Sequence, residues 1–470
     1  MRRSTASILA GLLVLAAPWP GRAAEEILVA PHTRTDLAVT VYQGGVAYVR
    51  EVREIGLPAG VHRLAFPEVS ASLQPETVRL AASGVAVLER RYEAGLLNPA
   101  ALLRAAVGKR VRVILTNPAT GAERTVPAEV LAASNGVVLR IGDRIETEIP
   151  GRLVFDALPP GLRPRPTLAA TVETTQAGRH QLRLGYLTGG LSWQADYVAS
   201  LDGDRLALEL WATVSNTSGA DYPEARLALV AGELNRVAPP AVPMRMAKRS
   251  LAAELASGVV EAPAEDYHRY AIARPVSLGR GGSTQVALMT APAVPVVREY
   301  RMESAAAIAR RAPMPDQREW PQPVQVRLSF ANTAAAGLGV PLPAGIVRVY
   351  EGGEDEVFLG ESRVPATPDG ERVTLTLGRA FDVTARRTLT DFRREGARGE
   401  IVETAHRIAL QNAKGVAVTV EVVENLQGEW RVLEESLPHT RLSAFKARWR
   451  VEVPARGAAE LTYRVRLQTR

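Results

Sequence analysis

Leu208-Glu209-Leu210-Trp211-Ala212-Thr213-Val214-Ser215-Asn216 is the stretch from which the fold can be read. Leu208, Leu210, Ala212 and Val214 point one way, and Glu209, Thr213 and Ser215 the other. This is the period-2 pattern of a strand with one face in a core and one toward water. The stretch ends on an asparagine, and residues 324–332 and 408–412 end the same way, on Asn332 and Asn412. Asparagine tolerates left-handed backbone angles and can bond its own backbone, so it suits the turn that follows. The recurrence predicts stacked β-domains built on a similar plan.

Working outward, the whole chain reads as mainly β and multidomain: two Ig-like antiparallel β-sandwich units, a small N-terminal β-meander and an SH3-like small barrel. The expected divisions are a leading segment 1–23, an N-terminal β-domain 24–95, and the small barrel with its short helix at 96–158. A β-sandwich follows at 159–312 with a mobile insertion 237–264, then a linker 313–323 and a C-terminal sandwich 324–470. Within these, 36–80 reads as a meander of short strands joined by tight turns and the proline-rich stretch 158–166 as a linker. Asp202-Gly203-Asp204 reads as the turn between two long strands, and residues 303–311 as a short alanine-rich helix. A closing hairpin is expected to pair Trp449, Val451 and Val453 with Leu461, Tyr463, Val465 and Leu467.

Arg2 and Arg3, the apolar run 8–17 and the small residues Gly21 and Ala23 give the charged, apolar, small order of a secretory signal peptide. Cleavage is expected before Ala24 or one residue later. Neither a Phe nor a following Lys completes a twin-arginine pattern, and no later segment is apolar for long enough to span a bilayer. The chain has no cysteine, which removes disulfides, thiolate metal sites and lipid attachment through an N-terminal cysteine. An exported chain of 470 residues must then be held by its own cores, as a bacterial envelope protein is. The formal charge is +7, of which Arg2, Arg3 and Arg22 supply three. No concentrated basic stripe with interleaved aromatics accompanies it, so nucleic acid is not an expected partner.

Chemistry leaves little trace in the sequence. His32, His62, His180, His268, His406 and His439 are scattered, with no pair at helical ligand spacing. There is no Gly-x-Ser-x-Gly elbow. The glycine run from Gly279 to Ser283 lacks the lysine and the downstream helix of a phosphate loop and reads as a hairpin loop. Two carboxylates at Asp202 and Asp204 are too few for calcium. Glu351, Glu354, Asp355 and Glu356 read as a solvated loop. Trp193 reads as core, Trp211 as interdomain or surface, and Trp430 as lying near a loop. Residues 244–256 combine two methionines with basic residues and read as part of the mobile insertion. No catalytic, cofactor-binding or metal-ligating set emerges.

The run Tyr186-Leu187-Thr188-Gly189-Gly190-Leu191-Ser192-Trp193-Gln194-Ala195-Asp196-Tyr197 is the most distinctive block. With Asn216, Gly232-Glu233-Leu234-Asn235, Gly378-Arg379-Ala380-Phe381-Asp382-Val383 and Leu410-Gln411-Asn412-Ala413-Lys414, it resembles a bacterial family of unknown function that includes mucoidy-inhibitor-like proteins. The resemblance implies an exported, β-rich protein with no established catalytic residues. The expected function is therefore that of a non-catalytic envelope protein binding another envelope protein or a polysaccharide. Two rivals stay open: a carboxylate-dependent enzyme acting on envelope polysaccharide, and assembly by edge-strand pairing.

Overall fold

A computed structural model describes residues 26–93, 97–134, 136–159, 162–232, 268–304, 319–353, 355–396, 401–426 and 428–468. The leading segment 1–23, the insertion 237–264 with its methionines, Glu354, most of 303–311 and the start of the linker 313–323 lie outside them. The described residues are mainly β, with a single α-helix, Pro99–Ala105, among them. They form two compact units, one of residues up to 37 together with 50–186, the other of 38–49 together with 187 onward. The chain passes between the units inside strands Arg34–Tyr42, Val46–Leu57 and Gly178–Gly189.

In the first unit, Gly60–Pro67 does not continue a meander. It leaves Val46–Leu57 for a different four-stranded sheet, where it lies between Glu26–Leu28 and Thr167–Thr174. Thr167–Thr174, expected in the following sandwich, also pairs with Val85–Glu93 of this unit. The proline-rich stretch before it is tied down through Arg163, which donates to Glu26 at 2.7 and 2.8 Å and to Glu93 at 2.6 Å. Arg63 reaches the same two carboxylates. Prolines remove donors from the backbone there, and the arginine supplies the anchoring instead.

The helix is capped by Asn98, whose side chain accepts from Ala101 N at 2.8 Å, with Pro99 at its first position. Five antiparallel strands follow, over a small core of Ala106, Val111, Val113, Val126, Val130 and Leu139. Their order is open, with Arg144–Glu146 at one edge and Arg152–Val154 at the other. The expected barrel is thus an unclosed sheet, because these end strands have only three residues each and do not pair with one another.

The second unit holds the largest departure from expectation. The two predicted sandwiches exchange strands. Gly345–Glu351, expected in the C-terminal one, pairs in parallel with Leu191–Asp202 of the first. In return, Val297–Ser304 pairs with Val324–Ala331 and Val418–Asn425 of the second. Residues 319–322 of the expected linker form a strand on Val383–Glu395. Residues 303–304, expected to start a helix, finish the Val297 strand.

The distinctive block explains the exchange. Asp196 accepts from Thr213 at 2.6 Å and from Arg348 of the incoming strand at 3.1 Å. Tyr197 donates its hydroxyl to the Pro343 carbonyl at 2.6 Å. Trp193 is buried, as expected, donating to the Val230 carbonyl at 3.1 Å with Tyr270 edge-on to its ring. Gly190, at φ 76°, lets the chain pass the Asn216 turn so closely that a Cβ would sit 2.7 Å from Ser218 Cα.

The C-terminal part is a sandwich of a six-stranded and a five-stranded sheet around Tyr300, Val420, Val422, Ile408, Leu410, Trp430, Trp449 and Tyr463. Its last two strands are not a hairpin. Lys446–Val453 pairs with Val418–Asn425 in one sheet, and Gly457–Gln468 with Ile401–Asn412 in the other. Both bury alternate side chains, and placing them in opposite sheets lets the buried sides meet across the core: Trp449 stacks on Tyr463 with centroids 4.7 Å apart. Residues 279–283 likewise join strands of different sheets, so they are a crossing and not a hairpin loop.

All three strand-ending asparagines are buried, and none has positive φ. Their side chains, not their backbone angles, shape the turns. Asn216 accepts from Ser218 N and donates to the carbonyls of Ala220 and Leu278. Asn412 accepts from Lys414 N and donates to Val416, Val453 and Pro454. Asn332 does the same over a longer loop, accepting from Gly339 N and donating to Val340, Thr367 and Pro368. Each welds a turn to a neighbouring strand end.

Candidate functional site

The six-stranded sheet presents its other face away from the Trp449 core. Alternation places Glu299, Arg301 and Glu303 there from one strand, and the registers Glu299↔Arg327, Arg301↔Glu421 and Glu421↔Arg450 fill it from the others. Arg448 and Lys446 complete a row on the last of these strands. Glu421 accepts from Arg448 at 3.1 Å and from Arg450 at 3.3 Å. Glu303 is held by Lys446 at 2.7 Å and Arg301 at 3.1 Å. Burial tends to raise the Glu303 pKa, but those two cations outweigh it and hold the carboxyl below its usual range.

Arg327 differs. Glu299, opposite it, accepts from Ser329 at 2.7 Å, and among the described residues Arg327 has no hydrogen-bond or ion-pair partner. Its Nε is buried, and the Nε atoms of Arg301 and Arg448 are also buried without a partner. Cations therefore outnumber acids on a face that water only partly reaches.

At one end of this face lies a cleft of about 560 Å3, lined among others by Val297, Arg298, Glu299, Lys414, Val416 and Arg450. Its wall is the turn that Asn412 fixes. Ala413 N donates to the Asp382 carbonyl at 2.7 Å, and Lys414 Nζ sits 3.3 Å from the Asp382 carboxylate. Two of the family-like blocks, 378–383 and 410–414, thus meet beside the cleft. Phe381 stands there 94 % exposed, and Val416 is 64 % exposed.

The residues singled out in the sequence fall elsewhere. Among the described residues no three His, Asp or Glu side chains gather as metal ligands. Gly203 and Asp204 form the two-residue turn between Asp202 and Arg205, with Gly203 at φ 58°. Trp211 is half-buried and donates to Glu209. Trp430 is in the core of the strand Glu429–Glu435 and donates to Ala444, with Arg441 4.3 Å above its ring. The site arginines were not singled out; their one signal is that Arg301, Arg327, Arg448 and Arg450 occupy the polar phase of alternating strands.

A second polar cluster lies inside the sandwich. Arg387 donates to His406 Nδ1 at 3.2 Å, to Glu424 at 3.1 Å and to the Tyr463 hydroxyl at 3.1 Å. Burial, and then the Arg387 charge, lower the His406 pKa from 6.5 to about 2, so the ring is a neutral acceptor. The unfolded chain takes up this proton first as pH falls. His406 therefore removes stability progressively below pH 6.5, by about 1.4 kcal/mol per pH unit, and has no effect above it. A His406→Gln variant keeps an acceptor and should lose about 2–3 kcal/mol less than the wild type between pH 6.5 and 4.5. Urea midpoints across that window read it out, and parallel curves would refute it.

Among the described residues no helix is long and apolar enough to cross a membrane. No curated protein matches the chain at a significant level. The model of a family described as Domain of unknown function (DUF4139) matches residues 182–468, more than half of the chain, from the distinctive block through the charged face to the last strand, and the chain belongs to that family.

Proposed function

We propose that this is an exported, non-catalytic protein of the bacterial envelope that binds another envelope component through the charged face and its cleft. Export is supported by the order of charged, apolar and small residues in 1–23 and by the lack of cysteine. The observation that carries the binding reading is the partly desolvated face on which Arg327 has no partner among the described residues. A guanidinium that meets no carboxylate leaves positive charge on a partly desolvated face, where an anionic ligand can form charge-assisted hydrogen bonds with it. The cleft carboxylates speak against hydrolysis: Glu421 is held by two arginines and Glu299 by Ser329. Asp196, the carboxylate of the distinctive block, is spent on Thr213 and Arg348. Edge pairing finds little support at Val357–Val364, where a Cβ on Gly360 would sit 2.4 Å from the Leu377 carbonyl of the next sheet.

Affinity capture from solubilised envelope with the tagged chain from Ala24 onward tests this reading. A protein or glycan should be enriched, and enrichment should fall when Lys446→Glu and Arg450→Glu reverse exposed charges on the face. Equal enrichment by the variant, or new reducing ends released from envelope glycan, would overturn it. The protein's amino terminus, sequenced from the envelope fraction, should begin at Ala24 or the next residue; an intact Met1 in the cytosol would overturn export.

A further inference from the structure

We propose that the charged face is a site for an acidic polysaccharide, with Arg327, Arg301, Arg448 and Arg450 receiving successive carboxylates of one extended strand. The inference rests on the binding role proposed above and adds the class of ligand. Its first support is charge. Glu303 and Glu421 each bridge two cations, while Arg327 has no partner among the described residues. The guanidinium fork matches a carboxylate; the Nε of Arg327 is buried, so its two terminal nitrogens, which meet no carboxylate among the described residues, are the groups it offers.

Spacing is the second support. The strands run in the order Val324–Ala331, Val297–Ser304, Val418–Asn425, Lys446–Val453. Arg327 lies on the first of these, Arg301 on the second, and Arg448 and Arg450 on the fourth, so at about 4.8 Å per step their backbones span about 14 Å. One small anion cannot reach across that row. A polymer with a carboxylate on every ring can.

The backbone decides between an acidic glycan and an acidic peptide. A peptide gains most of its affinity on a sheet by pairing with a free edge. These arginines lie on strands flanked by neighbours on both sides, so the face offers side chains only. A peptide laid across it would find no backbone partners for its own amides, whereas a glycan has none to satisfy. Nucleic acid fits poorly as well, since among the described residues the positions that share this face between the cations include Gln325, Glu299, Glu303, Thr419 and Glu421, none of them aromatic for a base to stack on.

The test is titration calorimetry of the mature chain with polygalacturonate, with dextran of similar length as the neutral control and polyglutamate as the acidic peptide. Polygalacturonate should bind with affinity that falls as salt rises, dextran should not bind, and polyglutamate should bind at least tenfold more weakly. Arg327→Gln should weaken polygalacturonate about tenfold, the loss expected for one charged hydrogen-bonding group. Because Arg327 is partly buried, Arg450→Gln provides a surface counterpart with the same direction of effect. Failure of polygalacturonate to bind, unchanged binding by both variants, or equal binding of polyglutamate would overturn the proposal. If capture still yields a partner, the binding role survives that failure. Cleavage of bound polygalacturonate would instead sink the non-catalytic reading and leave the site standing.

Discussion

Glu424→Gln should cost the second unit about 3–5 kcal/mol, the range for breaking a buried ion pair by removing one partner. Glu424 is fully buried and lies 3.1 Å from Arg387, whose side chain is only 11 % exposed. Glutamine fills the same space and can still accept a hydrogen bond, so the loss measures charge and not volume. What remains is a guanidinium in the core beside His406, kept neutral by burial, and the Tyr463 hydroxyl. Burial, with the Glu424 carboxylate adding to it, holds the Tyr463 phenol far above its usual pKa, so ionised tyrosine cannot take over. The double variant Arg387→Met with Glu424→Met removes both charges and should recover the larger part of the loss, because an apolar pair of similar volume is often as stable as a buried ion pair. Urea midpoints at constant slope give the comparison. A single-variant loss below about 1 kcal/mol, or a double variant as unstable as the sum of the singles, would show that the pair is not what holds this core.

Side-chain alternation was the legible part of this protein. It marked the strands around Leu208–Asn216 and the burial of Trp193, because each depends on a local pattern of period two, while the turn at Gly203 was legible from its Asp-Gly-Asp residues. Pairing was harder to read, since a strand such as Gly345–Glu351 looks the same whichever sheet receives it. Its parallel partner is chosen by Asp196, Tyr197 and Arg348, residues distant in sequence whose contacts no local window contains. The closing strands failed for a related reason. A turn of suitable length suggested a hairpin, but two strands that each bury one side also fit on opposite sheets, and the Trp449–Tyr463 stack favours that solution. The site was hidden more deeply. Arginines on the polar phase of a strand ordinarily mark a solvated surface, and only the register of the central strands, those starting at Val324, Val297, Val418 and Lys446, shows that these share a face and that Arg327 is left over.

Asn412→Asp should be at least as damaging as Asn412→Ala, each costing about 3 kcal/mol and each opening the cleft. Aspartate suits tight turns as well as asparagine does, so if the residue mattered for its backbone angle the change would be nearly silent. The hydrogen bonds say otherwise. Nδ2 donates to Val416, Val453 and Pro454 at 2.8, 3.3 and 3.0 Å, and Oδ1 accepts from Lys414 N at 2.9 Å. Alanine removes all four bonds, at about 1–3 kcal/mol for each backbone group that neither water nor another donor then satisfies; Pro454 O keeps Gly457 N. Aspartate keeps the acceptor but turns a carboxylate oxygen toward three carbonyls, replacing attraction with repulsion in a site of low dielectric. The turn from 413 to 417 forms the wall of the cleft, with Lys414 and Val416 on it, so the same change should weaken polygalacturonate binding even at temperatures where the fold persists. Asn216→Asp serves as the control: it breaks the equivalent bonds to Ala220 and Leu278, which do not line the cleft, and should lower stability by a similar amount with binding intact. Thermal midpoints together with binding below the transition separate the two effects, and an Asn412→Asp protein that melts with the wild type would mean the side chain is dispensable there.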